Sequence, residues 1–98
     1  MTVATIEHAV CSYFNIPLLD LHRRRQLRTI VRARWHVWYL LRHRHDWTLA
    51  DIASHYGKDG STVLYGMQMM DQMVNSSTAT RLACAEIGRS LDPVKEGD

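Results

Sequence analysis

The sequence of 98 residues predicts an all-α fold, a small helical bundle that forms a single domain over residues 1–98. Apolar residues recur at spacings of three and four, as on one face of a helix, and no segment alternates as a half-buried strand does. Cap residues and glycines separate these segments. A hydrophobic content of 46% fits one folded core. We expect that core at about residues 3–91, followed by a polar tail at 92–98.

The first half of the chain predicts two helices. Apolar residues share one face from residue 3 to residue 14, and Pro17 ends that helix because proline disfavours helix in the residue before it. A long central helix is predicted from residue 25 or 27 to residue 43, with apolar residues on more than one side, Leu27 among them. Three leucines between these helices are expected to be buried anchors in a short turn: Leu18, Leu19 and Leu21.

A short helix and a glycine turn follow. Thr48 is the predicted N-cap, with Asp51 at the third helical position, where a negative charge suits a helix start. This helix ends near Tyr56, and Gly57 and Gly60 bracket a tight turn.

Two further helices are predicted after the turn. Ser61 is expected to be the N-cap of a helix that continues to Val74. Residues 75–77 break it, and the last helix is expected to direct Leu82 and Ile87 inward, together with Ala83.

The charge distribution is uneven. The net charge is only +2, yet residues 21–45 hold eight arginines and no acidic residue, while the rest of the chain holds four basic and ten acidic residues. The planar guanidinium donates paired hydrogen bonds to phosphate. The pattern therefore favours a polyanion bound on one side of the molecule.

Several classes of function are not expected. Cys11 and Cys84 are too few for a disulfide scaffold and are expected to be reduced and buried. No apolar run suits a membrane span and the start of the chain does not read as a signal peptide, so we expect a cytoplasmic protein of the bacterial nucleoid. His36, His43 and His45 lack cysteine or carboxylate at ligand spacing, so no metal is expected. No nucleophile–base pair is apparent, so we expect no catalytic residues, no cofactor and no enzyme.

The short helix, glycine turn and following helix have the outline of a helix-turn-helix. In this motif the second helix enters the major groove and its first residues meet base edges. Ser61 and Thr62 stand at those positions, where a hydroxyl donates or accepts hydrogen bonds and the methyl of threonine touches the methyl of thymine. The alternative interpretation is that Ser61 serves only as a cap.

Residues 6–73 resemble the C-terminal DNA-binding domain of the bacterial replication initiator DnaA. The resemblance is carried by Tyr13-Phe14-Asn15-Ile16, Asp20-Leu21, Arg28-Thr29-Ile30-Val31-Arg32-Ala33-Arg34, Leu49-Ala50-Asp51-Ile52, Tyr56-Gly57 and, most specifically, Lys58-Asp59-Gly60-Ser61-Thr62-Val63-Leu64. It implies a helical bundle whose helix-turn-helix is preceded by a basic loop, here the arginine cluster that follows Leu21.

The resemblance implies roles for individual residues. In that family the basic loop lies along phosphates and the adjacent minor groove, while the recognition helix reads the major groove. With the charge pattern, this gives the expected phosphate contacts: Arg23, Arg24, Arg25, Arg28, Arg32, Arg34 and Lys58. The expected base contacts are Arg34, Trp35, Gly60, Ser61 and Thr62. Asp59 matches an acidic residue that orders the turn.

Three departures from the family pattern change the expected specificity. Gly60 replaces a base-contacting histidine, Trp35 replaces a glutamine, and Gln26 aligns with an arginine that enters the minor groove. Each lost base contact lowers discrimination by about 1–3 kcal/mol. We therefore expect double-stranded DNA as the partner, with a changed or relaxed site preference. Trp38 is expected in the core, and Trp35 to be partly exposed.

The 98 residues contain no G-x-x-x-x-G-K-[ST] phosphate loop, so no nucleotide partner is expected. The interpretation is a free-standing DNA reader, of a kind that a phage, mobile element or accessory regulator of replication or transcription uses. The alternative is a protein-interaction module, an initiator mimic or dimeric adaptor that uses an exposed aromatic patch and binds DNA weakly or not at all.

Overall fold

The computed structural model describes residues 2–24 and 26–91, which form five α-helices and one short 3-10 helix. The α-helices are α1 (Val3–Phe14), α2 (Arg28–Arg44), α3 (Leu49–Tyr56), α4 (Gly60–Ser76) and α5 (Thr78–Leu91), and the 3-10 helix, Leu18–Leu21, lies between α1 and α2. No β-strand occurs within the described residues, and the all-α prediction is confirmed. The predicted polar tail at 92–98 lies outside them.

Helix α2 is the centre of the bundle, as predicted. Val37, Trp38 and Leu41 are almost fully buried, and all three belong to the hydrophobic core. The other four helices each supply buried apolar side chains to this core, among them Ile6, Val10, Ile52, Tyr56, Val63, Met67, Ile87 and Leu91. The helices hold each other in place through this shared core, which fixes where the polar surface residues stand.

Helix α1 has the predicted bounds because both of its ends are capped. The Thr2 side chain accepts a hydrogen bond from the Thr5 amide at 3.2 Å. At the other end Asn15 takes the left-handed conformation, with φ of 55°, and the Ile16 amide donates to the Cys11 carbonyl at 3.1 Å. A short polar side chain tolerates this conformation better than most residues do.

Helix α4 begins earlier and ends later than predicted. Asp59 is the N-cap residue, and its carbonyl accepts from the Thr62 and Val63 amides at 3.1 and 3.2 Å. The prediction of Ser61 as N-cap is therefore wrong, because Gly60 is already helical. The helix continues to Ser76, so the predicted break shrinks to Ser77, whose hydroxyl accepts from the Thr80 amide and caps α5.

Four leucines that were expected to be buried are exposed: Leu18, Leu19, Leu27 and Leu82. In the 3-10 helix only Leu21 of the three leucines is buried, while Leu19 is 58% exposed. On α5 the buried side follows Ala83, Ile87 and Leu91, and Leu82 lies about 100° away from Ala83 around the helix. Regular helical spacing identified the correct face of α5 but not which flanking leucine belongs to it.

Cys11 is buried, Cys84 is half-buried, and both are free thiols. The expected burial is thus confirmed for Cys11. Among the helices that the structure describes, none combines the length and the apolar character that crossing a membrane requires.

Candidate nucleic-acid interface

Helix α3, which leads into the turn before α4, is fixed at both of its ends. Thr48 and Asp51 form a capping box at the start of α3, where each side chain accepts from the other residue's amide, at 3.0 and 2.9 Å. At the end of α3, Gly57 has φ of 63°, and the Lys58 amide donates to the Ala53 carbonyl at 2.9 Å. This is a Schellman-type ending, which leaves three residues between the helices.

The first turn of α4 exposes the two hydroxyl residues that were singled out in the sequence. Ser61 and Thr62 are both exposed, within two residues of the start of the helix at Gly60. Asp59 is the N-cap residue of α4, but its side chain makes no capping hydrogen bond, so the expected ordering of the turn by this carboxylate stays a prediction. Gly60 is exposed, and a Cβ there would meet nothing within 4 Å.

The basic loop is held by a buried arginine. Arg34 of α2 is 3% exposed. Its Nε donates to the Leu21 carbonyl at 3.0 Å, and its Nη2 donates to the carbonyls of Asp20, at 3.0 Å, and Arg23. One guanidinium thus binds three main-chain oxygens where the chain enters the loop. We call this arrangement the Arg34 clamp.

The Arg34 clamp also places a positive charge in the protein interior. Burial lowers the pKa of Arg34, and the nearby Asp20 carboxylate opposes that shift. An arginine nevertheless stays protonated in proteins, so the site holds a positive charge. Asp20 is itself buried, and its carboxylate lies 3.8 Å from the guanidinium of Arg23, a second arginine next to the same acid.

A second anchor ties the loop to α1 and α3. The His22 Nε2 lies 3.2 Å from the Glu7 carboxylate, and its ring stacks on Tyr56 with centroids 5.1 Å apart. The Tyr56 hydroxyl donates to the same Glu7 oxygen at 2.6 Å, and burial together with this bond raises the pKa of Tyr56. Sequence reasoning missed this cluster, although Glu7 on the apolar face of α1 was a detectable signal.

The loop, the start of α2 and helix α4 meet along one side of the molecule. Lys58 and Thr62 line a small cleft together with Gln26, Arg34 and Trp35. Arg28 and Arg32, both exposed, line an adjoining groove with Gln26, Trp35 and two methionines of α4, Met69 and Met73.

The arginines of residues 21–45 do not form one patch. Arg42 and Arg44 lie at the far end of α2, about 21 and 24 Å along the helix axis from Arg28. Arg42 donates to the Trp47 carbonyl at 3.2 Å, and Arg44 lies against Gly88 of α5. The charge run that the sequence shows is therefore divided between two ends of one helix.

The two tryptophans of α2 differ in the way that the sequence predicted. Trp38 is buried in the core and Trp35 is half-buried. The Trp35 indole lies over Gly66 of α4 and meets the Tyr65 ring edge-on, with centroids 5.9 Å apart. Tyr65 and Gly66 were not singled out in the sequence, because their importance depends on α2 crossing α4.

The predicted site residues fall into three groups. Arg23, Arg24, Arg28, Arg32, Ser61 and Thr62 are exposed, as is Gly60. Trp35 and Lys58 are half-buried and Arg34 is buried, so these three lie partly or wholly behind the surface that the exposed residues form. Arg25 lies outside the described residues. In residues 2–24 and 26–91, no three histidine, cysteine or acidic side chains are grouped so that they could hold a metal ion.

A short helix, a three-residue turn and a longer helix, next to an arginine-rich loop, define a helix-turn-helix domain. The family model for the bacterial DnaA protein helix-turn-helix matches residues 3–69, and the chain belongs to this family.

Similar proteins include chromosomal replication initiator proteins DnaA from several bacteria. That of Chlorobaculum tepidum is 31% identical over 93 residues, which are 94% of this chain and 19% of the relative. That of Enterococcus faecalis is 29% identical over 93 residues, 94% of this chain and 21% of the relative. That of Rickettsia akari is 33% identical over 82 residues, 83% of this chain and 18% of the relative. The chain spans about a fifth of the length of these curated relatives.

Proposed function

We propose that this chain binds double-stranded DNA. The start of α4 enters the major groove, and the basic loop with the first turns of α2 follows the phosphates on one side of it. Membership of the DnaA helix-turn-helix family supports this proposal. So does the position of two exposed cations, Arg28 and Arg32, along a groove that α4 also lines.

The Arg34 clamp is the observation that carries the proposal. The positive charges of an arginine-rich loop repel one another, so a loop that nothing holds in place has many conformations. Such a loop loses much conformational entropy when it binds phosphate. Three hydrogen bonds from one buried guanidinium to the entry of the loop reduce that loss. Arg34 then acts as a positioning residue, and the exposed Arg23, Arg24, Arg28 and Arg32 make the phosphate contacts.

The proposed specificity differs from that of the family pattern. Gly60 offers no side chain at the base-reading position, and Gln26 offers an uncharged amide where an arginine would enter the minor groove. Ser61 and Thr62 remain available to base edges. Phosphate contacts provide affinity without sequence information. We therefore propose DNA binding with a relaxed or altered site preference.

Titration of a fluorescent duplex of random sequence at increasing salt tests the proposal. We expect the logarithm of the binding constant to fall linearly with the logarithm of salt, by about 0.9 for each phosphate neutralised. Arg24→Ala and Arg28→Ala should each weaken binding to every sequence and lower that slope by about one unit.

Arg89→Ala is the matched control. This exposed arginine of α5 pairs with Glu86 and carries the same charge as Arg28, but it lines neither the cleft nor the groove. Its removal should therefore leave the salt slope unchanged. Absence of binding to any duplex at low salt would contradict the proposal and favour the alternative of a protein-interaction module. Equal effects of Arg89→Ala and Arg28→Ala would mean that charge alone, and not this surface, attracts the DNA.

The relatives are named chromosomal replication initiator proteins. Their name supports a role for this chain in the regulation of replication, or of transcription, through duplex binding. Selection of bound sequences from a random duplex pool identifies the preferred site and shows whether initiator sites are among its targets.

A further inference from the structure

The outward face of α4 continues past its first turn. Ser61, Tyr65, Gln68 and Gln72 recur at spacings of four, three and four residues and are all exposed. The opposite face carries the buried residues of this helix, such as Val63 and Met70. The outward row contains no charged side chain, so it presents hydroxyl, amide and aromatic groups to its surroundings.

Tyr65 is the largest side chain in this row, and it is supported from behind. Tyr65 is 56% exposed, while its ring and the Trp35 indole form a T-shaped pair with an interplanar angle of 72°. Such edge-to-face pairs are favourable beyond the area they bury. The ring is thus held in place and still leaves most of its surface free.

Gly66 explains why Trp35 can stand there. A Cβ at this position would lie 2.6 Å from Trp35 Cδ1 and 3.0 Å from Trp38 Cε3, too close for real atoms. The missing side chain lets the indole lie against the backbone of α4. Trp35, Gly66 and Tyr65 therefore form one packed unit that fixes the direction of the Tyr65 ring.

We propose that Tyr65 is a specificity-determining residue whose ring contacts the methyl group of a thymine in the major groove, and that Trp35 is its positioning residue. This inference rests on the proposed binding of duplex DNA. Apolar groups recognise thymine through its methyl group. A ring that is already oriented loses little freedom on binding.

The spacing along α4 suits a second base contact. Ser61 and Tyr65 are separated by about 6 Å along the helix axis. Two base-pair steps, at about 3.4 Å each, cover nearly the same distance. A helix that lies along the groove therefore places these two side chains on different base pairs, and Tyr65 extends the readout beyond Ser61 and Thr62.

The experiment uses the full chain and the duplex selected from a random pool. Each thymine is replaced in turn by uracil, which removes only the methyl group. At one position we expect the parent protein to lose about four-fold in affinity, the effect of burying one methyl group. Tyr65→Ala should bind the thymine and uracil duplexes equally, and Tyr65→Phe should discriminate between them as the parent does.

Trp35→Ala tests the positioning role. The variant should lower the preference for thymine over uracil at that same position. If Trp35 had a merely structural role, its loss would weaken binding to both duplexes equally. Leu82→Ala, which truncates an exposed apolar residue of α5, is the matched control and should leave the preference unchanged.

Thermal unfolding shows that each variant is folded before its binding is compared. If the parent binds the selected duplex but no thymine shows a methyl effect, or if Tyr65→Ala keeps that effect, the inference is overturned while DNA binding stands. If the parent binds no duplex, the proposed function fails, and this inference fails with it.

Discussion

At the scale of single residues, the arginines near the proposed DNA-binding surface have two different uses. Arg28 and Arg32 are exposed and available to phosphate, whereas Arg34 is buried and satisfies three carbonyl oxygens. Buried carbonyls that lose their donor cost about 1–3 kcal/mol each. Arg34 is therefore more important for the shape of the loop than for direct contact with DNA.

Replacement of Arg34 tests this distinction. Arg34→Lys keeps the charge, but a single ammonium lacks the planar fork that reaches three acceptors. We expect Arg34→Lys and Arg34→Ala both to lower the free energy of unfolding by at least about 2 kcal/mol. Both should also lower the salt slope of duplex binding by more than one unit, because the loop arginines lose their positions.

Arg28→Ala is the control, since removal of an exposed side chain changes stability by only about 0.5 kcal/mol or less. Urea unfolding and the salt titration measure the two effects. An Arg34→Lys protein that matches the parent in both would contradict the Arg34 clamp.

The sequence identified Arg34 as part of the site but not its role. The basic segment and its resemblance to a family were visible in the residues. The acceptors of its guanidinium, however, lie 11 to 14 positions earlier in the chain. Such a contact depends on how the 3-10 helix packs on α2, which no local pattern records. The same holds for Trp35 over Gly66, where two helices must cross first.

At the scale of elements, helix ends with a distinctive cap were predictable. Thr48 with Asp51 showed the start of α3, and Gly57 showed its end, because these residue types satisfy orphan backbone groups in known ways. The start of α4 was not resolved, since Asp59 and Ser61 are both good N-cap residues. The structure selects Asp59, and Gly60 enters the helix.

The two glycines of the turn should consequently respond in opposite ways to alanine. Gly57 has φ of 63°, so Gly57→Ala should lower the free energy of unfolding by about 1–2 kcal/mol. Gly60 is helical with open space around it, so Gly60→Ala should raise the free energy of unfolding by about 0.5 kcal/mol. Urea unfolding measures both variants side by side. Equal destabilisation by the two would contradict the observed start of α4.

At the scale of the whole molecule, the small net charge conceals a strong separation of charge. The structure divides the arginines of α2 between its two ends and brings only the first group next to α4. This division was not predictable from counts of charged residues, since it follows from the length of a straight helix. Acidic residues elsewhere keep the net charge at +2, which favours an oriented approach to a polyanion.

Stability at alkaline pH is a property of the whole fold that follows from its buried groups. Burial, with the nearby Glu7 and Asp20 carboxylates, raises the pKa of Cys11 from 9.0 to about 11. A pKa that is raised on folding stabilises the protein fully below the unfolded value, and this contribution is lost as pH rises through the folded value. We expect the free energy of unfolding to fall between pH 9 and pH 11, by at most about 3 kcal/mol from Cys11.

Cys11→Ala should flatten this decline, which denaturant unfolding in a reducing buffer at several pH values measures. Tyr56 also has a raised pKa, so some loss at higher pH should remain in the variant. A decline that is as steep in Cys11→Ala as in the parent would show that the Cys11 thiol is not the group responsible.

The Arg34 clamp has a consequence for how such domains diversify. It binds main-chain oxygens, which every amino acid possesses, so these three hydrogen bonds do not depend on which side chains stand at residues 23 and 24. Substitutions at residues 23 and 24 can therefore accumulate without reshaping the scaffold. A lineage that keeps this guanidinium can therefore change the charge of the proposed DNA-binding surface one residue at a time.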